Sequence, residues 1–159
     1  MNKIFKFQNK SKQLGSSMIE ILIATGVVGL VMTAVAASLV LSVKNSSISK
    51  YKVLAATRAQ EAMEVFRRER VLLGWTQFYE TLSESTYCIN TLASDSAQFK
   101  AMTSGTCADG SAIAGTVFTR ESLVNPSGGD VVRVEIVVKW LDGDIERKAN
   151  LIQEFKQYD

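Results

Sequence analysis

The chain has 159 residues, enough for one domain of ordinary size. Its formal net charge is +2, but four of the 18 basic residues lie within the first 15 positions, and the remainder carries 14 basic and 16 acidic residues. This balance argues against nucleic acid as a partner. Histidine is absent from the sequence, so the commonest general base is missing. No nucleophile–base arrangement or phosphate loop stands out, and we expect neither an enzyme nor a bound cofactor or metal.

A basic segment precedes a long apolar run at the N terminus. Residues 1–15 are polar and carry no acidic side chain, with lysine at positions 3, 6, 10 and 12. No charged residue occurs from Ile21 to Val43, the segment called here the apolar run, and Lys44 is the first charge after Glu20. As a helix, this run would be about 35 Å long. A hydrocarbon core is about 30 Å thick, so the run is long enough to cross a membrane.

The apolar run is predicted to belong to one long helix, from Ser16 to about Leu73. The first proline of the chain is Pro126, so nothing earlier forces a break. Beyond the run, apolar and small residues recur at steps of three or four, which indicates a helix with one buried face: Ile48, Tyr51, Ala55, Ala59, Ala62, Met63 and Phe66. Gly74 is the expected end, because glycine is favoured just past a helix C terminus.

The C-terminal part of the chain is typical of strands. One strand alternates strictly, with Val132, Val134, Ile136, Val138 and Trp140 on one side and Arg133, Glu135 and Lys139 on the other. The Asp142-Gly143 pair predicts a primed hairpin turn, and a second strand follows from about Ile145 to Phe155. A third strand is expected near 116–124, joined to the first by a loop at 125–129. We therefore predict an α+β fold, in which the second half of the long helix packs on a small antiparallel sheet.

The most specific motif lies where the basic segment meets the apolar run. The sequence there is Gly15-Ser16-Ser17-Met18-Ile19-Glu20, so a lone glutamate follows the glycine by five residues. This arrangement resembles the N terminus of the type IV prepilins, a family that includes the pseudopilins of type II secretion systems. In that family a glycine marks the cleavage site and a glutamate stands at the fifth mature position. The resemblance covers residues 1 to about 45 by motif, and the remainder by layout only.

The resemblance implies cleavage after Gly15 by a prepilin peptidase, which also methylates the new N terminus at Ser16. It further implies a leader (1–15), a transmembrane and filament-core helix (16–43) and a pilin-like head (44–159). Such a subunit would wait among lipids in the cytoplasmic membrane, crossing it once with its head outside the cytoplasm. It would then join other pilin or pseudopilin subunits in a helical filament at the cell surface or in the periplasm.

Three positions depart from the pattern of the major subunits. Ser16 stands where phenylalanine is usual, Met18 where leucine is usual, and Ala37 where a helix-kinking proline is frequent. These departures favour a minor pilin or minor pseudopilin.

Glu20 has a physical rationale in such an assembly. A carboxylate at the edge of a membrane helix costs about 2–3 kcal/mol unless it meets a partner or reaches the interface. Cleavage after Gly15 would create an amine at Ser16, and a neighbouring subunit could present that amine to Glu20. Mismatched packing would leave the charge buried and alone, so the pair would set the register between subunits. The alternative is that Glu20 extends to the lipid headgroups and has no role.

The two cysteines, Cys88 and Cys107, enclose a loop of 20 residues. Because the resemblance places them outside the cytoplasm, we expect a disulfide. It would add about 3 kcal/mol of stability on the chain-entropy model. The alternative is a pair of buried free thiols.

Two other interpretations of the N terminus remain open. A secretory signal peptide could be cut after Ala34-Val35-Ala36, although Glu20 and the continuation of the run to Val43 argue against it. A plain single-pass anchor is the second, and four basic residues on either side of the run leave its orientation undecided. The functional alternative to a filament subunit is therefore a membrane-anchored or secreted binding module that does not polymerise.

Overall fold

The computed structural model describes residues 16–158, so the basic segment and Gly15 lie outside it. The elements in chain order are α1 (Ser16–Thr81), β1 (Ser85–Cys88), α2 (Ser96–Lys100), β2 (Thr119–Ser127), β3 (Val131–Asp142) and β4 (Ile145–Lys156). The chain forms two compact units, one up to Ser46 and one from Ser47 onward, here called the second unit. Within the second unit α1 packs against a four-stranded antiparallel sheet. The predicted α+β fold is confirmed.

Helix α1 continues beyond its predicted end. Gly74 has φ 70° and ψ 169°, which interrupts the helical geometry, but the helix resumes and ends at Thr81. The helix is therefore broken at Gly74, where its end was predicted, and a further helical stretch that the sequence did not predict follows to Thr81. Phe78 in this last stretch is fully buried, with its ring 6.1 Å from Phe99 and 5.6 Å from Phe155. We attribute the extra turns to this aromatic packing. The glycine at position 74 gives no information about such contacts with residues distant in sequence.

The predicted apolar stripe of α1 forms the helical half of the core. Its buried part is Ala55, Ala59, Ala62, Met63 and Phe66, none of which is more than 1% exposed. Alanine at three of these positions leaves little side chain between the helix backbone and the sheet. The stripe is less buried at its start, where Ile48 is half-buried and Tyr51 is exposed.

The sheet has the order β1-β2-β3-β4, with every neighbouring pair antiparallel. The predicted inward set on β3 is buried throughout: Val132, Val134, Ile136, Val138 and Trp140. The hairpin between β3 and β4 is also confirmed, with Asp142 paired to Ile145. Its two central residues are Gly143 and Asp144, and positive φ is confined to Gly143, as in a type II′ turn.

The connection between β2 and β3 is tighter than predicted. Residues 125–129 were expected to form a loop, but β2 continues to Ser127 and the turn lies at 128–130. Pro126 is thus part of a strand and pairs with Val132. Pairing between β1 and β2 ends at Val124, so Pro126 has a partner strand on one side only. Such an edge position tolerates a residue without an N–H group.

Two short elements escaped prediction, both within the mixed segment after Gly74. Strand β1 has only four residues, too few for a period to show. Helix α2 has five, and its N-cap is Asp95, whose side chain accepts a hydrogen bond from the Gln98 N–H at 2.8 Å. Phe99 of α2 is fully buried, with its ring 5.4 Å from that of Phe66. This contact joins α2 to the core.

Candidate functional site

The apolar run is exposed along its whole length within the described structure. Every residue from Met18 to Val43 is exposed, and among the largest are Leu22, Leu30, Leu39 and Leu41. An 18-residue window of α1 has a mean hydropathy of 2.3, and α1 is the one described helix that is long and apolar enough to cross a membrane. Soluble monomers rarely expose more than a few hundred Å² of continuous apolar surface. No residue within 18–158 covers the run, so it is a candidate surface for contact with lipid or with another protein.

Three of the four hydroxyl groups within the apolar run are satisfied by the helix itself. Thr25 donates to the carbonyls of Ile21 and Leu22, at 2.9 and 3.0 Å. Thr33 donates to Leu30, and Ser38 donates to the carbonyl of Ala34 at 3.0 Å. Polar groups paired in this way can enter lipid or a packed helix bundle without losing a hydrogen bond.

Glu20 is the one charged side chain between Ser16 and Val43, and it is exposed at the start of the run. No hydrogen bond or ion pair joins its carboxylate to another of the residues 18–158. The predicted cleavage site lies outside the described residues, because Gly15 precedes them. Ser16 begins α1, but its side chain is not among those described. The predicted pairing of Glu20 with a neighbour's amine therefore stays a prediction.

Cys88 and Cys107 form a disulfide, as predicted, with the sulfur atoms 1.98 Å apart and the Cα atoms 4.7 Å apart. The bond joins the end of β1 to the segment that follows α2. Two backbone contacts hold the same segments together: a bridge between Tyr87 and Ser104, and a hydrogen bond of 2.7 Å from the Gly105 N–H to the Thr86 carbonyl. The disulfide thus helps to hold the segment after α2 against the outer edge of β1.

A buried arginine, which the sequence did not reveal, connects the sheet to the helix. Arg120 on β2 is 2% exposed and donates to three main-chain carbonyls: Arg58 at 2.8 Å, Ile89 at 3.0 Å and Asn90 at 3.3 Å. Its guanidinium also lies 3.6 Å from the carboxylate of Glu61. Burial lowers the pKa of Arg120, and the nearby Glu61 partly opposes that shift. Arg120 thereby joins β2, α1 and the segment after β1.

A buried glutamate on α1 performs a similar role for α2. Glu69 is fully buried, accepts a hydrogen bond from the Ser96 hydroxyl and forms an ion pair of 2.8 Å with Arg68. Arg68 also donates to the Ala93 carbonyl at 2.9 Å. On the outer face of the sheet, Lys139 forms a further ion pair of 2.7 Å with Glu121.

The contacts of these charged clusters join neighbouring elements of the second unit to one another. Each of their carboxylates is paired with a basic or hydroxyl group from a neighbouring element. Among the described residues, no group of three or more His, Cys, Asp or Glu side chains could hold a metal ion. A shallow groove on the outer face of the sheet, lined by Leu123, Arg133 and Glu135, measures about 340 Å³. At its border the Asn125 amide donates to Glu84 at 3.0 Å. The exposed helix, with Glu20 at its start, is therefore the candidate functional site.

Comparison of the chain with models of known protein families, with curated proteins and with solved structures found no match. The assignment of function rests on the N-terminal motif and on the surfaces described above.

Proposed function

We propose that the chain is a structural subunit, a minor pilin or pseudopilin, of a type IV pilus-like or type II secretion filament. It is made as a precursor, trimmed after Gly15 by a prepilin peptidase and methylated at Ser16. The observation that carries this proposal is the exposed apolar helix from Met18 to Val43, which follows the prepilin-like junction and leads into a compact α+β unit.

Two surroundings cover the apolar run in this proposal. Lipid covers it while the subunit waits in the cytoplasmic membrane, and the same helix of neighbouring subunits covers it in the filament. Because lipid tails are as apolar as the helix, close packing and polar pairing must favour the filament. The carboxylate of Glu20, unpaired among the described residues, supplies the polar pairing when it meets the amine of a neighbouring Ser16. A misaligned neighbour would leave that carboxylate alone, so the pair sets the register.

The disulfide supports the proposed location of the second unit. Disulfides persist in the periplasm and at cell surfaces, and they are rare in the cytoplasm. A bond between Cys88 and Cys107 therefore favours a head outside the cytoplasm, with residues 1–15 on the cytoplasmic side.

The mass of the N-terminal peptide, from protein expressed in its native membrane, tests the processing step. We expect a peptide that begins at Ser16 and carries one added methyl group. A peptide that begins at Ala37 would show a secreted protein, and the filament proposal would be wrong. An intact Met1 would show a plain anchor, provided that the host processes other prepilins.

Incorporation into sheared fibres tests the assembly step. Substitution of Gly15 is expected to block trimming, whereas Glu20→Ala is expected to be trimmed normally and to be depleted from fibres. Glu80→Ala, an exposed glutamate of the second unit, is the matched control and should enter fibres normally. Normal incorporation of Glu20→Ala would contradict the register mechanism. Failure of the wild-type chain to copurify with any fibre would favour the binding module that does not polymerise.

A further inference from the structure

The two edges of the sheet differ in what covers them. The outer edge of β1 is covered by the segment after α2, through the bridge of Tyr87 with Ser104 and the disulfide at Cys88. Strand β4 forms the opposite edge and is longer, with 12 residues against four. An open edge of this length can pair with a strand of another chain unless the sequence prevents it. The free edge of β4, defined here as residues 146–154, is therefore a candidate interface.

The hairpin register determines which backbone groups of β4 point to this edge. Asp142 and Ile145 flank a two-residue turn and form a hydrogen-bonded pair. Such pairs recur at every second residue, so odd-numbered residues of β4 bond to β3 and even-numbered residues direct their N–H and carbonyl groups away from it. In agreement, Arg70 donates to the Lys156 carbonyl at 2.7 Å. Within residues 18–158, no hydrogen bond reaches the outward backbone groups of the free edge.

The charges of β4 complement those of the same strand running in the opposite direction. The side chains of its even-numbered residues are all exposed on the outer face of the sheet: Glu146, Lys148, Asn150, Ile152, Glu154 and Lys156. A two-fold axis at Leu151 would pair two copies of β4 antiparallel, with Lys148 of one copy opposite Glu154 of the other. Glu146 would then stand opposite Lys156 of the other copy. Opposite charges directly across two strands stabilise their pairing.

The neighbouring registers lack this match. A shift of two residues in one direction places Glu146 opposite Glu154, and a shift in the other direction places Lys148 opposite Lys156. Like charges directly opposite each other destabilise a pair of strands. A shift of one residue sets the outward backbone groups of one copy against residues of the other copy that bond to β3. The sequence of β4 therefore favours one register of self-pairing.

We propose that two copies of the second unit pair through the free edge of β4 in this register, so that their sheets join into one antiparallel sheet. Two strand pairs on each side of the axis, Lys148 with Glu154 and Asn150 with Ile152, supply about eight backbone hydrogen bonds. On the inner face, the two Leu151 side chains meet at the axis in a non-hydrogen-bonded pair, where side chains approach most closely. A groove of about 510 Å³ separates Leu151 from α1 residues 57–67 and leaves room for the second leucine.

This contact goes beyond the proposed function and does not depend on it. A two-fold contact uses the same surface on both copies and closes on itself, whereas a filament needs contacts that repeat from one subunit to the next. Subunits of the proposed filament are related by a screw operation and not by a two-fold axis. The β4 contact would therefore join the second units of subunits in different filaments.

Cross-linking of the full chain tests the contact, with an excess of detergent micelles so that apolar runs of different chains do not share a micelle. Leu151→Cys should form a disulfide-linked dimer under mild oxidation, because the two-fold axis brings the two thiols within disulfide distance. The native cysteines are held in their own disulfide, so without reductant only the introduced thiol reacts. Leu72→Cys is the matched control, because Leu72 is a 63% exposed leucine of α1.

A mixed pair of variants tests the register. Ala149 of one copy stands opposite Gln153 of the other, whereas the two copies of either residue are about 13 Å apart along the strands. Ala149→Cys and Gln153→Cys should therefore cross-link when the two variants are mixed, and neither should cross-link by itself.

Charge reversal tests the register independently. Lys148→Glu should weaken the Leu151→Cys dimer about tenfold, because each of the two symmetric pairs exchanges an attraction for a repulsion. Adding Glu154→Lys to the same chain restores opposite charges and should restore the dimer. Lys52→Glu, which reverses an exposed charge outside β4, should leave the dimer unchanged.

Three results would overturn the proposal. The first is a Leu151→Cys dimer no more abundant than that of Leu72→Cys. The second is cross-linking of Gln153→Cys by itself, or a dimer that Lys148→Glu does not weaken, because either would exclude this register. The third is cross-linking of Leu151→Cys to a different protein in native cells and not to a second copy. None of these results bears on cleavage after Gly15, which the mass of the N-terminal peptide tests separately.

Discussion

Replacement of Arg120 tests whether the buried guanidinium holds the second unit together. Arg120→Met keeps an unbranched side chain of similar length and removes all five N–H donors. The Arg58 carbonyl lies within α1 and keeps its helical hydrogen bond after the substitution. The carbonyls of Ile89 and Asn90, which lie 3.0 and 3.3 Å from the guanidinium, lose their donors.

The expected loss of stability follows from those two carbonyls. An acceptor left unsatisfied on burial costs about 1–3 kcal/mol. The pair with Glu61 adds little, because Glu61 is 38% exposed and its charge is screened. Burial lowers the pKa of Arg120, which means that folding disfavours its charge, and methionine removes that cost. We therefore expect the free energy of unfolding to fall by about 3 kcal/mol.

Urea unfolding of the full chain in detergent, followed by tryptophan fluorescence, measures this change. Both tryptophans, Trp75 and Trp140, lie in the second unit, so the signal reports that unit. Arg133→Met is the control, because Arg133 is 53% exposed and lies 3.9 Å from Glu154. The control should change the free energy of unfolding by less than about 1 kcal/mol. A loss below about 1 kcal/mol for Arg120→Met would refute the structural role assigned to its hydrogen bonds.

Three further predictions use the same unfolding measurement. Replacing both Cys88 and Cys107 with serine should lower the free energy of unfolding by about 3 kcal/mol, and a reductant should destabilise the wild type alone. Gly74→Ala should cost about 1–3 kcal/mol through backbone strain, because φ is 70° there and a Cβ would meet no atom within 4 Å; an unchanged stability would contradict the observed conformation. The hydrogen bond to Glu121 raises the pKa of Lys139. The stabilisation from that pair should therefore be complete below about pH 10.4 and be lost as pH rises through the raised pKa. The gap in stability between wild type and Lys139→Met should thus shrink in alkaline solution, and a gap independent of pH would contradict the pairing.

Elements with a long and regular period could be predicted from the sequence. The alternation from Val132 to Trp140 fixes both the strand and its buried face, and the alanine stripe of α1 does the same for the helix. Elements whose existence depends on distant contacts could not be predicted. The continuation of α1 past Gly74 depends on the packing of Phe78 against Phe99 and Phe155.

The buried charges of Arg120 and Glu69 were not predicted either, although each stands at a position that the period of its strand or helix directs inward. Arg120 alternates with Ser122 and Val124, which are buried on the inner face of β2, and with Phe118, which is buried just before the strand begins. Glu69 stands three residues after Phe66, on the buried stripe of α1. A charge at an inward position indicates a buried, hydrogen-bonded group, since burial without partners is costly. The inward position of each charge could be recognised in the sequence. Apart from Arg68, which is adjacent to Glu69, the partners lie 27 to 62 residues away, and only the fold identifies them.

The candidate site differs from these clusters because the side chains of α1 are buried in the second unit but exposed in the apolar run. In the second unit, α1 presents small residues, from Ala55 to Ala62, to a sheet that covers them completely. In the apolar run, α1 presents large residues such as Leu30 and Leu39, and no described residue covers them. A helix that presents large apolar side chains along the run and pairs three of the run's four hydroxyls with its own carbonyls is suited to apolar surroundings there. The described residues do not supply such surroundings, and in the proposed function lipid and then neighbouring helices would supply them.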